Sequence, residues 1–173
     1  PSNILIFFGG VDQYNLTGLT LAALKLVDVS FSVDVVMSKQ SLYYEKIKNQ
    51  IDNILNVQLY SDLQSLAPLI LKADLAIGAG GSTTWERFCL GLPSLIITLA
   101  DNQRVVNNYL HQLGLIDLIG DIEAVTKTDI VSAIERKLNC NDIDYHTKRC
   151  MEICPGQGST FVVNALLDFS SVK

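Results

Sequence analysis

The chain is short of basic residues, with 13 Lys and Arg against 18 Asp and Glu and a formal charge of −5. That balance argues against a nucleic-acid surface of the ordinary basic kind. No apolar run approaches the ~18 residues of a membrane span, and no signal peptide opens the chain. The four cysteines, Cys89, Cys140, Cys150 and Cys154, form no Cys-x-x-Cys pair and no pairing with histidine. Neither a metal site nor a cofactor is therefore expected. Cys150 and Cys154, one helical turn apart, read as a core stripe, and all four as reduced thiols of a cytoplasmic protein. Only two histidines occur, His111 and His146, and no Ser-His-Asp arrangement is visible. Two phosphate-binding signatures are missing as well: the Gly-Lys-Ser/Thr of a Walker loop and the dinucleotide pattern Gly-x-Gly-x-x-Gly. Asn15-Leu16-Thr17 matches a glycosylation sequon, but nothing else points to secretion. The chain opens at Pro1 without a methionine and reads as a strand within a few residues, which suggests a piece of a longer protein.

What is present is a well-packed α/β chain. Of its 173 residues 49% are apolar, and mean hydropathy is +0.28, enough for one sizeable core. Strands are expected over residues 3–8, 32–37, 57–60, 75–77, 94–99 and 116–119. Helices are expected between them: after caps at Asp12 and Asn15, over 41–50, over 63–71 behind an Asp62 cap, over 85–90, and after a polar loop Asp101-Asn102-Gln103 to near Gly114. Two or three more finish the chain, over 128–138, 144–153 and 159–169. Pro68 falls inside its predicted helix and should kink or split it. Alternating β and α elements imply a parallel sheet with right-handed crossovers, and ligands bind at the carboxyl ends of such strands. Gly9-Gly10, Tyr60-Ser61-Asp62, Gly80 to Thr84 and Asp101 to Gln103 all follow strand ends and should lie along one rim.

One stretch looks built for a ligand: Asp74-Leu75-Ala76-Ile77-Gly78-Ala79-Gly80-Gly81-Ser82-Thr83-Thr84-Trp85-Glu86. An apolar strand runs into Gly80-Gly81, where the backbone can take positive φ and a bulky group can approach. Ser82, Thr83 and Thr84 then offer hydroxyls at the start of a helix. Free N–H groups and the helix dipole make such a terminus an anion site. Glu86, one turn inside, could reach past the anion to a sugar diol. Thr83-x-x-Glu86 is also the pattern of a plain capping box. Because the chain is acidic, backbone amides rather than lysines should carry any diphosphate.

Phe8-Gly9-Gly10-x-Asp12, the run from Ala73 to Arg87, Gly91-Leu92-Pro93 and Asp101-Asn102-Gln103 together resemble one family. They are similar to the C-terminal half of the UDP-diacetamido-trideoxy-altropyranose hydrolases of pseudaminic acid biosynthesis and their spore-coat polysaccharide relatives, within the GT-B superfamily. The resemblance is best from Asn3 to Gln103 and weaker beyond Gly120. It implies a Rossmann-like parallel sheet flanked by helices, residues 1–173 forming a single GT-B C-terminal lobe that holds a UDP-sugar. It implies that Glu86 bonds the ribose hydroxyls, and that the amides around Gly80, Gly81, Ser82, Thr83 and Thr84 meet the diphosphate. Tyr60 would face uracil, Asn102 and Gln103 would approach the sugar, and Gly9 and Gly10 would line an interlobe cleft. Val11 departs from the family, which often has serine there. The family's catalytic histidine belongs to an N-terminal lobe, so no catalytic residue is expected on this chain. The function implied is the UDP-sugar-binding lobe of a hydrolase that releases UDP in nonulosonic acid biosynthesis. Alternatives are the donor-binding lobe of a GT-B glycosyltransferase and a non-catalytic nucleotide-sugar-binding partner or sensor.

Overall fold

Residues alternate along each strand between two buried faces, and that alternation builds a three-layer sandwich. The computed structural model describes residues 2–52, 54, 56–140 and 143–170. Strands β1 (Asn3–Phe7), β2 (Ser32–Val36), β3 (Val57–Tyr60), β4 (Leu75–Ala79), β5 (Ser94–Thr98) and β6 (Asp117–Asp121) form one sheet in the order β3-β2-β1-β4-β5-β6. Every pairing is parallel. Helices α1 (Leu16–Leu24), α2 (Tyr44–Ile51) and α6 (Lys127–Leu138) cover the face that carries Ile4, Ile6, Ile77 and Ile97. Helices α3 (Ala67–Lys72), α4 (Ser82–Cys89), α5 (Asp101–Gln112) and α7 (Ile143–Ile153) cover the opposite face, through Leu5, Ala76, Ile96, Phe88, Leu110 and Cys150. Both faces are apolar because a parallel sheet with helical crossovers is buried on both sides. Helix α8 (Gly158–Ser170) ends the described chain and exposes Phe161, Val162 and Val163. No helix of the described residues is long and apolar enough to cross a membrane.

Strand order reverses between β1 and β4, so the crevice of the fold opens there, at their carboxyl ends. The segments after β1, β3, β4 and β5 share that rim, as the alternation of elements implied.

Three local expectations change. Helix α3 starts at Ala67, with Pro68 in its first turn, so the proline opens the helix and neither kinks nor splits it. Its lack of an N–H is harmless there, because the first helical amides have no intrahelical acceptor. Asp62 does not cap: it lies in the left-handed region at φ 57° and its carboxylate pairs with Lys39 at 3.1 Å. Asn15 likewise sits at φ 56° with no side-chain cap bond. Asp12 takes that work, its carboxylate accepting from Leu16 N at 3.0 Å and Thr17 N at 2.9 Å.

Burial pushes the Asp12 carboxyl above its ordinary value, against the opposing pull of its bonds to Thr17 and Leu16. Asp12→Ala should lower stability by ~1–2 kcal/mol in urea unfolding, with Asp12→Asn losing less because it keeps an acceptor. Equal losses in the two variants would contradict a capping role.

Candidate functional site

The crevice is walled by the two glycine segments. Gly9 and Gly10 follow β1, and Gly10 O accepts from Ser38 N at 2.8 Å, which ties this turn to the end of β2. Across the reversal, β4 runs into Gly80 and Gly81. Gly81 is the residue before helix α4, at φ 147° and ψ −156°, a conformation that a side chain would oppose. Helix α4 thus starts at Ser82, three residues before the position the sequence suggested.

The capping box expected of Thr83 and Glu86 is not formed, because the frame is shifted by two residues. Thr84 N donates to Gly81 O at 3.1 Å, and Gly81 N donates to Thr84 Oγ1 at 3.3 Å. Two consequences follow for the predicted anion contacts. The Gly81 and Thr84 amides are spent within the turn, and buried Thr84 braces the loop from inside. Ser82 and Thr83 carry the first two N–H groups of α4, which helix geometry leaves free of intrahelical acceptors at the rim. Glu86 is exposed and follows Ser82 by four residues, so its carboxylate shares the Ser82 face one turn further along.

Helix α5 forms the next wall. Gln103 Oε1 accepts from Leu99 N at 3.2 Å, and its Nε2 lies 3.8 Å from where a Cβ on Gly81 would stand. Gln103 therefore faces the glycine loop while closing its own turn, and Asn102 beside it is exposed. Asn107, which the sequence reading passed over, is buried and donates from Nδ2 to Thr98 Oγ1 at 3.1 Å. A Cβ on Gly80 would meet the Asn107 carboxamide at 2.3 Å, so Gly80 must lack a side chain for α5 to pack here. The signal available in the sequence was Gly80, whose missing side chain makes room for the Asn107 carboxamide. Between α4 and α5 lies a cleft of about 290 Å³ bordered by Gly81, Trp85, Asn102, Gln103 and Val106. Arg104 fastens this helix end to β6 through Asp121 and reaches Asp101 at 3.1 Å.

Tyr60 ends the edge strand β3, half-buried, its hydroxyl donating to Gln58 Oε1 at 2.5 Å. Three strand spacings of about 4.8 Å separate β3 from β4, so Tyr60 stands at one end of the rim and the glycine loop near its middle. Neither histidine joins the rim. His111 lies ten residues down α5 from Asp101, roughly 15 Å along the axis. Its Nδ1 is 3.1 Å from Ile116 O and 3.3 Å from Leu118 N, in the turn into β6. His146 is buried in α7, its ring edge-on to Tyr145. Among the described residues no group of three or more His, Cys, Asp or Glu is placed to hold a metal ion. Cys150 is fully buried, its thiol pushed up to about 11 by burial, and Cys154 packs at the edge of the same cluster. Cys154 Sγ also lies 3.0 Å from Cys89 Sγ, with all four cysteines free.

The sequence reading also missed Arg87. It is 2% exposed and donates from Nη2 to Ala79 O at 3.0 Å and Thr84 Oγ1 at 3.1 Å. A buried cation thus lies against the glycine loop, bonded to its backbone and to Thr84.

In sequence, the chain is 28% identical over 163 residues to an uncharacterized protein of Methanocaldococcus jannaschii, covering 84% of this chain and 34% of that protein. It is 31% identical over 119 residues to the spore coat polysaccharide biosynthesis protein SpsG of Bacillus subtilis (strain 168), covering 67% and 35%. The chain therefore spans about a third of the length of the curated relatives it matches. No protein-family model matches it. In structure, it superposes on Acinetobacter baumannii MurG with a TM-score of 0.78 at 18% identity, over 97% of this chain and 50% of that one. The UDP-GlcNAc 2-epimerase of Neisseria meningitidis, solved bound to UDP-GlcNAc, gives 0.69 at 21% identity, over 96% and 44%. At these identities the likeness is one of fold. The six-stranded parallel sheet and its helices have the Rossmann-like architecture of a GT-B lobe.

Proposed function

We propose that this chain is the nucleotide-sugar-binding lobe of a GT-B enzyme and holds the uridine diphosphate of a UDP-sugar along the strand-end rim. The observation that carries this reading is the β4–α4 turn at the topological switch point. There Gly81 leaves the approach open, helix geometry frees the Ser82 and Thr83 amides, and Glu86 follows on the Ser82 face of the same helix. The diphosphate would meet the amides and the dipole of α4, and Glu86 would accept from the ribose hydroxyls. Tyr60 would lie toward the base, and Asn102 and Gln103 toward the sugar. When UDP departs, the amides would stabilise the charge that develops on it.

Likeness in fold to solved glycosyltransferases supports a donor-binding lobe. Hydrolysis of the UDP-sugar is the second reading. It is favoured by the string from Gly81 to Arg87, and by the similarity to a polysaccharide biosynthesis protein. Both readings place the reacting group that accepts a proton on another lobe, because neither histidine stands at the rim.

The chain alone should bind UDP more tightly than UMP, and ADP weakly, in a calorimetric titration. It should turn over no UDP-sugar, and joining the N-terminal lobe in one polypeptide should restore turnover. Equal affinity for UDP and ADP would remove the uridine reading. Steady UDP release by the chain alone, abolished by His111→Ala or His146→Ala, would move the chemistry onto this lobe.

A further inference from the structure

Arg87 has no carboxylate partner among the described residues. Among the described residues no Asp or Glu oxygen lies within ion-pair distance of its guanidinium, and its Nε makes no hydrogen bond. Its contacts are a carbonyl and a hydroxyl, both belonging to the β4–α4 turn: Ala79 O and Thr84 Oγ1. Burial holds its pKa down at about 10, against a small opposing pull from Glu86, so the group stays cationic at neutral pH. Isolated buried charges are costly, and a protein retains one where a partner arrives or where the charge acts on something.

The geometry shows what this charge acts on. Thr84 Oγ1 takes two donors, the Arg87 Nη2 from beneath and the Gly81 N–H from above. That occupies both lone pairs of the hydroxyl and fixes the turn from which the Ser82 and Thr83 amides face the rim. Gly78 leaves room for the guanidinium, since a Cβ there would stand 3.1 Å from Nη1. A cation so placed raises the potential of the turn through a medium of low dielectric, where charge acts more strongly than in water.

We propose that Arg87 is a positioning residue that makes the β4–α4 turn selective for the diphosphate, acting from beneath through Thr84 and Gly81 as the buried counter-charge to the ligand. The proposal rests on the reading of the rim as a UDP site. It assigns the anion preference of an acidic chain to one buried arginine.

NMR titrations of the whole chain with UDP and with uridine test it, on wild type, Arg87→Met and Arg87→Lys. Arg87→Met should weaken UDP by about tenfold while changing uridine affinity little, because only UDP carries the charge that the guanidinium answers. Arg87→Lys keeps a cation and should hold UDP within about threefold of wild type. Equal loss of both ligands in Arg87→Met, or no recovery in Arg87→Lys, would reduce Arg87 to a support for the turn and overturn the proposal. If Arg87→Met does not fold, Arg87→Lys decides alone, and if neither folds the role is stability only and the proposal fails. A wild-type chain that binds no UDP removes the site itself. A wild-type chain that binds UDP, with Arg87→Met binding it equally well, removes the arginine's part alone.

Discussion

Glu86→Ala should lower UDP affinity about tenfold to a hundredfold, because a carboxylate that accepts from both ribose hydroxyls contributes ~1.5–3 kcal/mol. The same substitution should leave the unfolding midpoint nearly unchanged. Glu86 is exposed, lies beyond the first turn of α4 and closes no capping box, since Gly81 and Thr84 close that turn between themselves. An exposed helical Glu→Ala change away from caps stays within about 0.5 kcal/mol. Calorimetry with UDP beside urea unfolding reads both quantities. Unchanged affinity with a loss of ~1 kcal/mol or more in stability would return Glu86 to a purely helical role.

The same residue shows where the sequence was readable and where it was not. The alternation of apolar runs and helical periods is enough to place six strands in parallel, because each strand needs two apolar faces and each crossover a helix. The rim followed from that alternation alone. The frame of the central turn did not follow. Ser82, Thr83 and Thr84 each offer a hydroxyl, and the chain pattern cannot say which one turns inward. Packing decides it: Arg87 beneath draws Thr84 in, so the helix begins at Ser82 and Thr83-x-x-Glu86 is left as a coincidence of spacing. Pro68 is a similar case. A proline within an apolar run reads as a break, yet the loop before it extends to Leu66 and places the ring in the first turn.

Arg87 and Asn107 escaped for a shared reason. Sequence patterns treat Arg and Asn as solvent-facing, whereas both are buried here, Arg87 against Ala79 and Thr84 and Asn107 against Thr98. The glycines were the better clue. Gly80 is the imprint of the Asn107 carboxamide, and Gly78 of the Phe7 carbonyl first and the Arg87 guanidinium second.

Gly78→Ala should be the most damaging small substitution on this rim. Gly78 lies within β4 and pairs with Phe7 of β1 and Ile96 of β5, in the interior of the sheet. A Cβ there would stand 2.3 Å from Phe7 O and 3.1 Å from Arg87 Nη1. The first of these is backbone of the neighbouring strand, which cannot swing aside as a side-chain tip can. Relief requires β1 and β4 to part at the reversal of strand order, or the guanidinium to leave its bonds to Ala79 and Thr84. Overpacking of this kind costs about 3 kcal/mol. Gly114→Ala is the matched control: φ is +66° but nothing lies within 4 Å of the added methyl, so only the left-handed backbone resists it. That strain costs about 1 kcal/mol. Urea unfolding should therefore rank Gly78→Ala well below Gly114→Ala. UDP titration of the Gly78→Ala protein that remains folded should show weakened binding, whereas Gly114→Ala should bind as wild type, because Gly114 lies in the turn after α5 and away from the rim. A Gly78→Ala protein as stable as Gly114→Ala would mean that the strands are looser at the crevice than the Phe7 contact implies, and would weaken the case for a rigid turn held from beneath.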